Sequence, residues 1–405
     1  MASITSDPAT PSAPAKPIEP ILERLESVLP SERPIPLHEP ALDASAWDNV
    51  KDCLDSGWVS SVGAYVDAFE NGLADYTGIP HSVATVNGTA ALHTCLLLAG
   101  VEADDEVLLP ALTFVGSANP VAAMGATPHF VDSAPDTLGV DPLALRQHLE
   151  SIARLQGGVC INRHTGRPIR ALVVVHVLGH VANMPALRAI ADEFHIALIE
   201  DAAEALGSFR EDQHAGSWGD LTALSFNGNK IITTGGGGAV LTRNPDMAGR
   251  AKHLTTTAKL SHPWAFEHDE VAFNYRMPNL NAALGVAQLQ LLPDLVDAKR
   301  CLADRYQAAL ADLPGAQWFG EPEDCRSNYW LNLLLLDAPG ARETLLQHAH
   351  QAGLLLRPFW TPLHRLPMYA DCPHAPLPVS EDLYARGVCL PSSAQLADQP
   401  GHRPQ

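Results

Sequence analysis

The chain has 405 residues, of which 46 are acidic and 26 are basic, so its formal net charge is −20. Hydrophobic residues make up 46% of it, which permits a large buried core, and the length exceeds that of a typical single core. The acidic balance argues against a nucleic-acid-binding surface, because phosphate backbones require a basic footprint. It does not exclude a phosphate-bearing small molecule, which local amides and arginines can bind.

Seven cysteines are scattered along the chain without the spacing of a zinc site. Their odd number and the length of the chain favour free thiols in a reducing compartment over a disulfide framework. No apolar region typical of a signal peptide is present near the N-terminus, and no run of eighteen apolar residues predicts a membrane span. We therefore expect a cytoplasmic protein without a metal centre and without a membrane or nucleic-acid partner.

The predicted elements divide the chain into three parts. Residues 1–34, rich in proline and small residues, are expected to be an N-terminal extension that is partly disordered. Helical periodicity follows at 41–56 and 64–76. Short apolar strands then alternate with helices, the pattern of a buried, mainly parallel sheet. The strands are predicted at 82–86, 106–109, 129–131, 171–176 and 196–200, and the helices at 90–99, 115–124, 142–153 and 185–194.

Strands at 221–226 and 238–242 complete the predicted large domain, which we place at 35–270. A long amphipathic helix is expected over 279–312, followed by a strand near 328–336, a helix near 341–352 and a strand near 354–357. These elements predict a smaller C-terminal α/β domain within residues 271–405.

Lys230 stands between the apolar strand at 221–226 and four consecutive glycines at 235–238, which would let the backbone approach a ligand closely. About thirty residues upstream, Asp201 follows the strand at 196–200, and in parallel sheets ligands lie beyond the carboxyl ends of the strands. A lysine that bonds an aldehyde and an aspartate that keeps a pyridine nitrogen protonated are what pyridoxal phosphate chemistry requires. The alternatives are a solvated surface lysine and an aspartate that caps a helix.

Three further features point to ligands. Gly88 and Thr89 lie at a strand-to-helix turn, where amide groups and a hydroxyl suit a phosphate dianion, although simple helix capping would look the same in sequence. The glycine run lacks the G-x-G-x-x-G spacing of a dinucleotide loop. His176 and His180 could suggest a metal pair, but no third ligand is spaced to complete it. We expect His176 to line the pocket instead.

Six segments of this chain together resemble the DegT/DnrJ/EryC1/StrS family of sugar aminotransferases, and the resemblance runs from about Ile35 to about Ala397. The segments are 57–63 (GWVSSVG), 87–93 (NGTAALH), 113–119 (TFVGSAN), 200–204 (EDAAE), 225–238 and 273–277 (FNYRM). The resemblance implies the three-layer αβα fold of fold-type I pyridoxal phosphate enzymes, with a mixed, mainly parallel sheet. It also implies a homodimer whose active sites are shared between subunits.

The resemblance also implies roles for individual residues. Lys230 would be the catalytic lysine, Asp201 the partner of the pyridine nitrogen, and Ser225 a phosphate ligand. Phe114 would stack on the cofactor ring, and Asn274 would reach the phosphate of the partner subunit's cofactor. Glu204 would lie near the ring hydroxyl oxygen, where the family often has His or Gln. Gly88 and Thr89 complete the expected cofactor contacts, and Ser60, His176 and Asn229 are expected to contact the substrate.

Within the family, segments 57–63, 225–238 and 383–387 look most like the branch that aminates UDP-linked 4-keto-6-deoxy-N-acetylhexosamines, which feeds bacillosamine and legionaminic acid synthesis. The resemblance thus predicts transfer of an amino group to C4 of such a sugar, with glutamate as the usual donor. Two alternatives stay open: a sugar dehydratase of the same fold, which carries His in place of the lysine, and a non-catalytic binding protein. Lys230 argues against the dehydratase, and the presence of both Lys230 and Asp201 argues against a non-catalytic protein.

Overall fold

The computed structural model describes residues 18–338 and 340–397. Its helices are α1 (Glu19–Val28), α2 (Ala44–Ser56), α3 (Ala64–Thr77), α4 (Gly88–Leu98), α5 (Asn119–Ala123), α6 (Pro142–Ile152), α7 (Met184–Glu193), α8 (Pro245–Thr255), α9 (Asn279–Leu310), α10 (Ala341–Gln351) and α11 (Pro378–Arg386). Its strands are β1 (His81–Thr85), β2 (Glu106–Pro110), β3 (Thr127–Val131), β4 (Ala153–Gln156), β5 (Val159–Asn162), β6 (Ile169–Val175), β7 (Ala197–Asp201), β8 (Phe209–Arg210), β9 (Gln213–His214), β10 (Leu221–Ser225), β11 (Gly238–Thr242), β12 (Ala316–Trp318), β13 (Cys325–Arg326), β14 (Asn332–Leu336), β15 (Arg357–Pro358) and β16 (Gly387–Leu390).

The large domain is built on a seven-stranded sheet in the order β1-β11-β10-β7-β6-β2-β3. All neighbouring strands are parallel except β11, which is antiparallel to both β1 and β10. The predicted mixed, mainly parallel sheet is therefore confirmed. Asp201 pairs with Val175 on one side and with Ala223 on the other, so β6, β7 and β10 end close together at one edge of the sheet.

Helices cover both faces of this sheet, as the strand composition requires. Along β6, Leu172 and Val174 belong to one buried apolar cluster, while Val173 and Val175 belong to another. Successive strand side chains point to opposite faces, so a strand without polar alternation must be buried on both sides. The result is the three-layer αβα arrangement that the resemblance implies.

The smaller domain contains a four-stranded sheet in the order β12-β14-β16-β15, whose pairs are antiparallel. Helix α9, predicted at 279–312 and observed at Asn279–Leu310, connects it to the large domain. Leu302 and Leu310, near the C-terminal end of α9, belong to the buried core of this smaller domain. Within the described residues, no helix is both long and apolar enough to cross a membrane.

The N-terminal boundary differs from the prediction. Residues 1–17 lie outside the described residues, but α1 buries Ile21, Leu25 and Val28 in the core of the smaller domain. Ile35, expected to begin the large domain, instead pairs with Leu354 of the smaller one. The apolar spacing of α1 at i, i+4 and i+7 is that of a helix with one buried face. Residues 18–35 thus pack with the C-terminal domain, although they are far from it in sequence.

Two other elements are shorter than predicted. The helix expected near 115–124 is divided into a 3-10 turn at Val115–Ser117 and the short helix α5. Pro120 lies at the start of α5, and a proline without an amide hydrogen is tolerated only in the first turn of a helix. The strand expected at 354–357 is limited to β15, two residues long.

Candidate active site

A cavity of about 350 Å³ lies at the edge where β6, β7 and β10 end, and it collects residues from distant parts of the chain. Of the eleven residues predicted for the site, eight line it: Gly88, Thr89, Phe114, Asp201, Glu204, Ser225, Asn229 and Lys230. The same cavity is lined by Thr113, Ser117, Asn227, Trp330 and Trp360, which the sequence did not single out.

Lys230 follows β10 and points its amine into this cavity. Its side chain is 13% exposed, so it is not a solvated surface lysine. Nζ lies 3.3 Å from Glu204 Oε1 and 4.0 Å from the centroid of the Trp330 ring. The amine is therefore held between the carboxyl group of Glu204 and the aromatic face of Trp330. An amine in such a cavity can reach a bound aldehyde without competition from bulk water.

Asp201 is the last residue of β7, and its carboxylate is held by uncharged donors. Ser117 Oγ donates to Oδ2 at 2.7 Å, and the Ala203 amide donates to Oδ1 at 3.2 Å. Thr113 Oγ1 lies 3.2 Å from Ser117 Oγ and extends this arrangement. No α-helix begins at the residues after Asp201, which removes the helix-capping interpretation. These donors fix the orientation of the carboxylate at the edge of the sheet, beside the cavity.

One end of the cavity is formed by the start of α4. Asn87 caps this helix, with Oδ1 accepting from the Ala90 amide at 2.8 Å. The first amides of a helix have no acceptor within it, so those of Gly88 and Thr89 are suited to an anion. A Cβ added to Gly88 would lie 2.7 Å from Ser225 Cβ, so only glycine lets the turn approach this serine. Amides and two hydroxyls thus converge where a phosphate would bind.

The four-glycine run has a related steric role. A Cβ on Gly238, the first residue of β11, would lie 2.5 Å from the backbone of Asn87. Gly238 also pairs with Thr85 and with Ser225. Because it has no Cβ, Gly238 permits β11 to pass directly behind the turn that begins α4. This steric requirement explains the glycine without a role in binding a dinucleotide.

Aromatic side chains form the walls of the cavity. Phe114 lines it yet is 55% exposed, and its ring centroid lies 6.5 Å from that of Trp360. Trp360 is stacked on Trp330 with a centroid distance of 6.4 Å and an interplanar angle of 16°. An uncovered aromatic face beside a cavity suits a flat ring such as a pyridine.

Three of the lining residues that the sequence did not single out are Trp330, Trp360 and Ser117. Trp330 lies one hundred residues after Lys230, and Trp330 Nε1 donates to the Asn229 carbonyl at 2.7 Å. Local periodicity cannot indicate a contact over that separation. Ser117 lies inside the segment 113–119. Its hydrogen bond to Asp201 becomes evident only when the fold brings the strand ends together.

His176 was expected to line the pocket, and this prediction is wrong. Its side chain is fully buried, with Nε2 at 2.8 Å from Glu200 Oε2 and Nδ1 accepting from the Ala182 amide at 3.3 Å. Both ring nitrogens are thus used inside the protein. His180 is also buried, and its ring packs edge-on against Phe319 and Tyr329. Neither histidine belongs to a group of three potential metal ligands among the described residues.

Ser60 and Asn274 also lie outside the cavity lining. Both residues are exposed: the Ser60 carbonyl accepts from the Asn279 amide at 2.6 Å, and Asn274 Oδ1 accepts from Arg276 Nε at 3.0 Å. A single chain therefore does not bring them to Lys230.

The lining residues fit pyridoxal phosphate in three respects. The amine of Lys230 and the carboxylate of Asp201 face one cavity, the turn before α4 with Ser225 offers donors for a dianion, and Phe114 presents a free aromatic face. When bound, the cofactor supplies an electron-accepting ring, while the protein supplies the base, the counter-charge and the walls.

Comparison with known proteins agrees with this geometry. The model of the DegT/DnrJ/EryC1/StrS aminotransferase family matches residues 40–403. GDP-perosamine synthase of Vibrio cholerae is 36% identical over 367 residues, covering 90% of this chain and 95% of that protein. The dTDP-4-dehydro-2,3,6-trideoxy-D-glucose 4-aminotransferase of Saccharopolyspora spinosa is 31% identical over 382 residues, with 90% and 93% covered.

Among solved structures, the PLP form of Spr1654 from Streptococcus pneumoniae superimposes with a TM-score of 0.78 at 25% identity, covering 88% of this chain and 93% of that one. The family model extends over both domains, and the cavity holds the lysine and the carboxylate that the cofactor requires. This chain belongs to the DegT/DnrJ/EryC1/StrS aminotransferase family, and it is a pyridoxal phosphate-dependent aminotransferase.

Proposed function

We propose that this aminotransferase converts a nucleotide-linked keto-deoxysugar into the corresponding amino sugar, with glutamate as the amine donor. The observation that carries the proposal is the cavity that Lys230 lines together with Asp201, Phe114 and the turn before α4. Two relatives that cover 90% of this chain are named for the synthesis of nucleotide-linked amino sugars. The acidic chain can still bind such a substrate, because only a local set of donors is needed.

The acceptor position that we propose is C4 of the sugar. The Saccharopolyspora spinosa relative is named as a 4-aminotransferase, and the segments at 57–63 and 225–238 resemble the branch that acts on 4-keto sugars. The nucleotide is less constrained, because the two relatives are named for GDP-linked and dTDP-linked compounds. We propose UDP-4-keto-6-deoxy-N-acetylhexosamine as the first substrate to test.

The residues of this chain have separate tasks in the proposed reaction. Lys230, when its amine is free, moves a proton between the donor's α-carbon and the carbon of the bound cofactor. Asp201 holds the proton on the ring nitrogen, aided by Ser117, which fixes its carboxylate. Trp330 and Trp360 exclude water and offer apolar faces to a sugar, with Asn229 at the same wall.

The two alternative functions differ from this one in their catalytic residue. A dehydratase of this fold would carry His at position 230, and a non-catalytic scaffold would lack the lysine or the carboxylate. Here Lys230 contacts Glu204, and Asp201 is hydrogen-bonded to Ser117. Both residues therefore have the surroundings that an aminotransferase needs.

We further propose a homodimer in which Asn274 completes the site of the partner subunit. Asn274 is exposed, and several large apolar side chains near it in sequence are also uncovered: Trp264, Phe266 and Val271 are 80%, 80% and 91% exposed. The segment 57–63 packs beside the start of α9, where Asn279 Nδ2 donates to the Trp58 carbonyl at 2.7 Å. Uncovered apolar groups of this size favour a protein partner. The seven free cysteines fit the cytoplasmic location expected from the sequence.

The test is an assay of the purified enzyme with a panel of 4-keto and 3-keto sugars linked to UDP, GDP or dTDP. Each sugar is offered with glutamate and, separately, with aspartate, and the amino-sugar product is identified by mass spectrometry and NMR. We expect a 4-amino product from a 4-keto sugar, with glutamate preferred. A dehydrated sugar, or an absence of turnover with every sugar while the cofactor is bound, would contradict the proposal.

A further inference from the structure

Glu204 is the one cavity-lining carboxyl group that contacts Lys230. Its side chain is 6% exposed, and its two oxygens have different partners. Oε2 accepts from the Leu178 amide at 2.9 Å, while Oε1 lies 3.3 Å from Lys230 Nζ. Leu178 has φ of 57°, a left-handed backbone that a leucine adopts only when its surroundings enforce it. The turn that enforces it directs an amide at Glu204, so that Oε1 faces the cavity.

Asp201, three residues earlier, has a contrasting environment. Its partners are the Ser117 hydroxyl and the Ala203 amide, neither of which changes charge. A charge on Glu204 is compensated by the Leu178 amide and, to a larger extent, by Lys230, the residue whose amine the reaction converts. The two carboxyl groups therefore respond differently when Lys230 loses its charge.

We propose that the charge of Glu204 follows that of Lys230. Glu204 is a carboxylate only while Lys230 is an ammonium ion. When Lys230 is not an ammonium ion, Glu204 is a neutral carboxylic acid with its O–H directed into the cavity. This inference rests on the proposed function in that Lys230 must be free of its proton to act as the base. The step is a proton transfer: an Nζ–H bond breaks, an Oε1–H bond forms, and the pair keeps its net charge.

Burial is the physical cause. It raises the pKa of the Glu204 carboxyl above its usual value, even though the Lys230 charge and the hydrogen bond from Leu178 both act to lower it. The negative charge of Asp201 acts in the same direction as burial. Without the Lys230 cation, a buried carboxylate beside another carboxylate would lose its largest compensation, and protonation becomes the favoured state.

The groups that face Glu204 support this assignment. Lys230 approaches from the segment after β10, Asp201 from the end of β7, and Cys389 from β16. Burial raises the pKa of the Cys389 thiol to about 12, so it brings no charge at neutral pH. Lys230 is therefore the cation in this group, and its state decides that of Glu204.

The direct experiment compares two variants of the full-length apoenzyme, Lys230→Met and Lys230→Arg. Met removes the charge at nearly constant length, and Arg retains a charge. The ionisation of Glu204 is followed by ¹³C NMR of protein labelled at the glutamate δ-carbon, with the signal assigned by its loss in Glu204→Gln. We expect Glu204 to be protonated at pH 7.5 in Lys230→Met and ionised in Lys230→Arg. A carboxylate at neutral pH in folded Lys230→Met would overturn the proposal.

A second measurement uses wild-type Lys230, so that it does not depend on the folding of those variants. Proton uptake or release on binding pyridoxal 5′-phosphate is determined by calorimetry in buffers of different ionisation enthalpy. In wild type the Lys230 proton stays on Glu204, whereas in Glu204→Gln it must leave to solvent, so wild type should release about one proton fewer per site than Glu204→Gln. Equal release would overturn the proposal. Neither measurement uses a sugar or an amine donor. A negative result in either measurement is therefore distinguishable from the failure of the proposed function. If no sugar in the panel is converted, both readouts still apply.

Discussion

The cavity around Lys230 and the exposed stretch that ends at Asn274 differ in how much a single chain can complete. In the cavity, Lys230 and Asp201 find their partners within the chain, at 3.3 Å and 2.7 Å. Along the stretch 260–274, Trp264, Phe266 and Val271 are largely exposed, and the exposed side chain of Asn274 accepts from Arg276 Nε at 3.0 Å. Lys230 and Asp201 are therefore positioned by contacts within one chain, whereas the exposed stretch is the surface at which we propose that the partner subunit packs.

The largest expected effect comes from removing the amine. Lys230→Ala should lower turnover by on the order of 10⁴-fold or more, because no other group in the cavity can bond the cofactor and carry the proton. The fold should be preserved, since the lysine is at the cavity wall. The measurement is the assay with glutamate and the preferred sugar, together with circular dichroism. Lys51→Ala, which alters an exposed lysine, is the matched control. Full turnover in Lys230→Ala would refute the assignment of the catalytic lysine.

Asp201→Asn should have the next largest effect. The amide cannot hold a positive charge on the ring nitrogen, so we expect turnover to fall by about 10²- to 10³-fold, equivalent to about 3–4 kcal/mol of transition-state stabilisation. Cofactor affinity should change much less. Turnover at saturating cofactor and the dissociation constant of the cofactor are measured separately, with Asp212→Asn at an exposed site as control. Near-wild-type turnover would show that another group protonates the ring.

The third prediction concerns the exposed stretch. A Lys230→Ala subunit mixed with an Asn274→Ala subunit forms heterodimers in which one site carries both changes and the other carries neither. Activity should therefore return on mixing two weakly active parents, up to about one intact site per heterodimer. Two different affinity tags allow the heterodimer to be isolated before the assay. If isolated heterodimers stay inactive, Asn274 acts within its own chain.

The smallest expected effect is a pH dependence of the free energy of unfolding, which arises from buried histidines. Burial lowers the pKa of His180 from 6.5 to about 3 and that of His214 to about 4. In the unfolded chain both would titrate near 6.5, so below that pH the unfolded state binds protons that the folded state excludes. The free energy of unfolding should thus be fully present above pH 6.5 and fall as the pH decreases toward 4.

Urea unfolding at several pH values between 7.5 and 4.5 measures this slope. His180→Phe, which keeps an aromatic ring against Phe319 and Tyr329, should make the slope shallower. His262→Phe, at an exposed histidine in the stretch 260–274, should leave it unchanged. A slope unaffected by His180→Phe would place the acid sensitivity elsewhere.

Much of the fold follows from local patterns. The sheet strands of the large domain and helix α9 lie within a few residues of their predicted positions, because strand and helix periodicities are local properties. Among the eight predicted residues in the cavity, some follow from their places at strand ends and turns, because the ends of parallel strands meet at one edge: Gly88, Thr89, Asp201 and Lys230. The other four were predicted from the family resemblance: Phe114, Glu204, Ser225 and Asn229. The prediction for His176 was wrong because its position after β6 indicates only the edge of the sheet at which it lies. That position does not indicate whether the ring turns toward the ligand or toward Glu200.

Local sequence patterns were enough to predict the layered α/β architecture and to single out Lys230, Asp201 and the turn before α4 as candidate cofactor contacts, since each lies in a short motif of adjacent residues. Only the tertiary structure decided that α1 belongs to the C-terminal domain, that Trp330 covers Lys230, and that Ser117 holds Asp201. These contacts join residues between 84 and several hundred positions apart, and no local pattern encodes them. They arise from packing, because the neighbours of a side chain are set only when distant elements share one core. Those neighbours in turn set the charge state of the side chain.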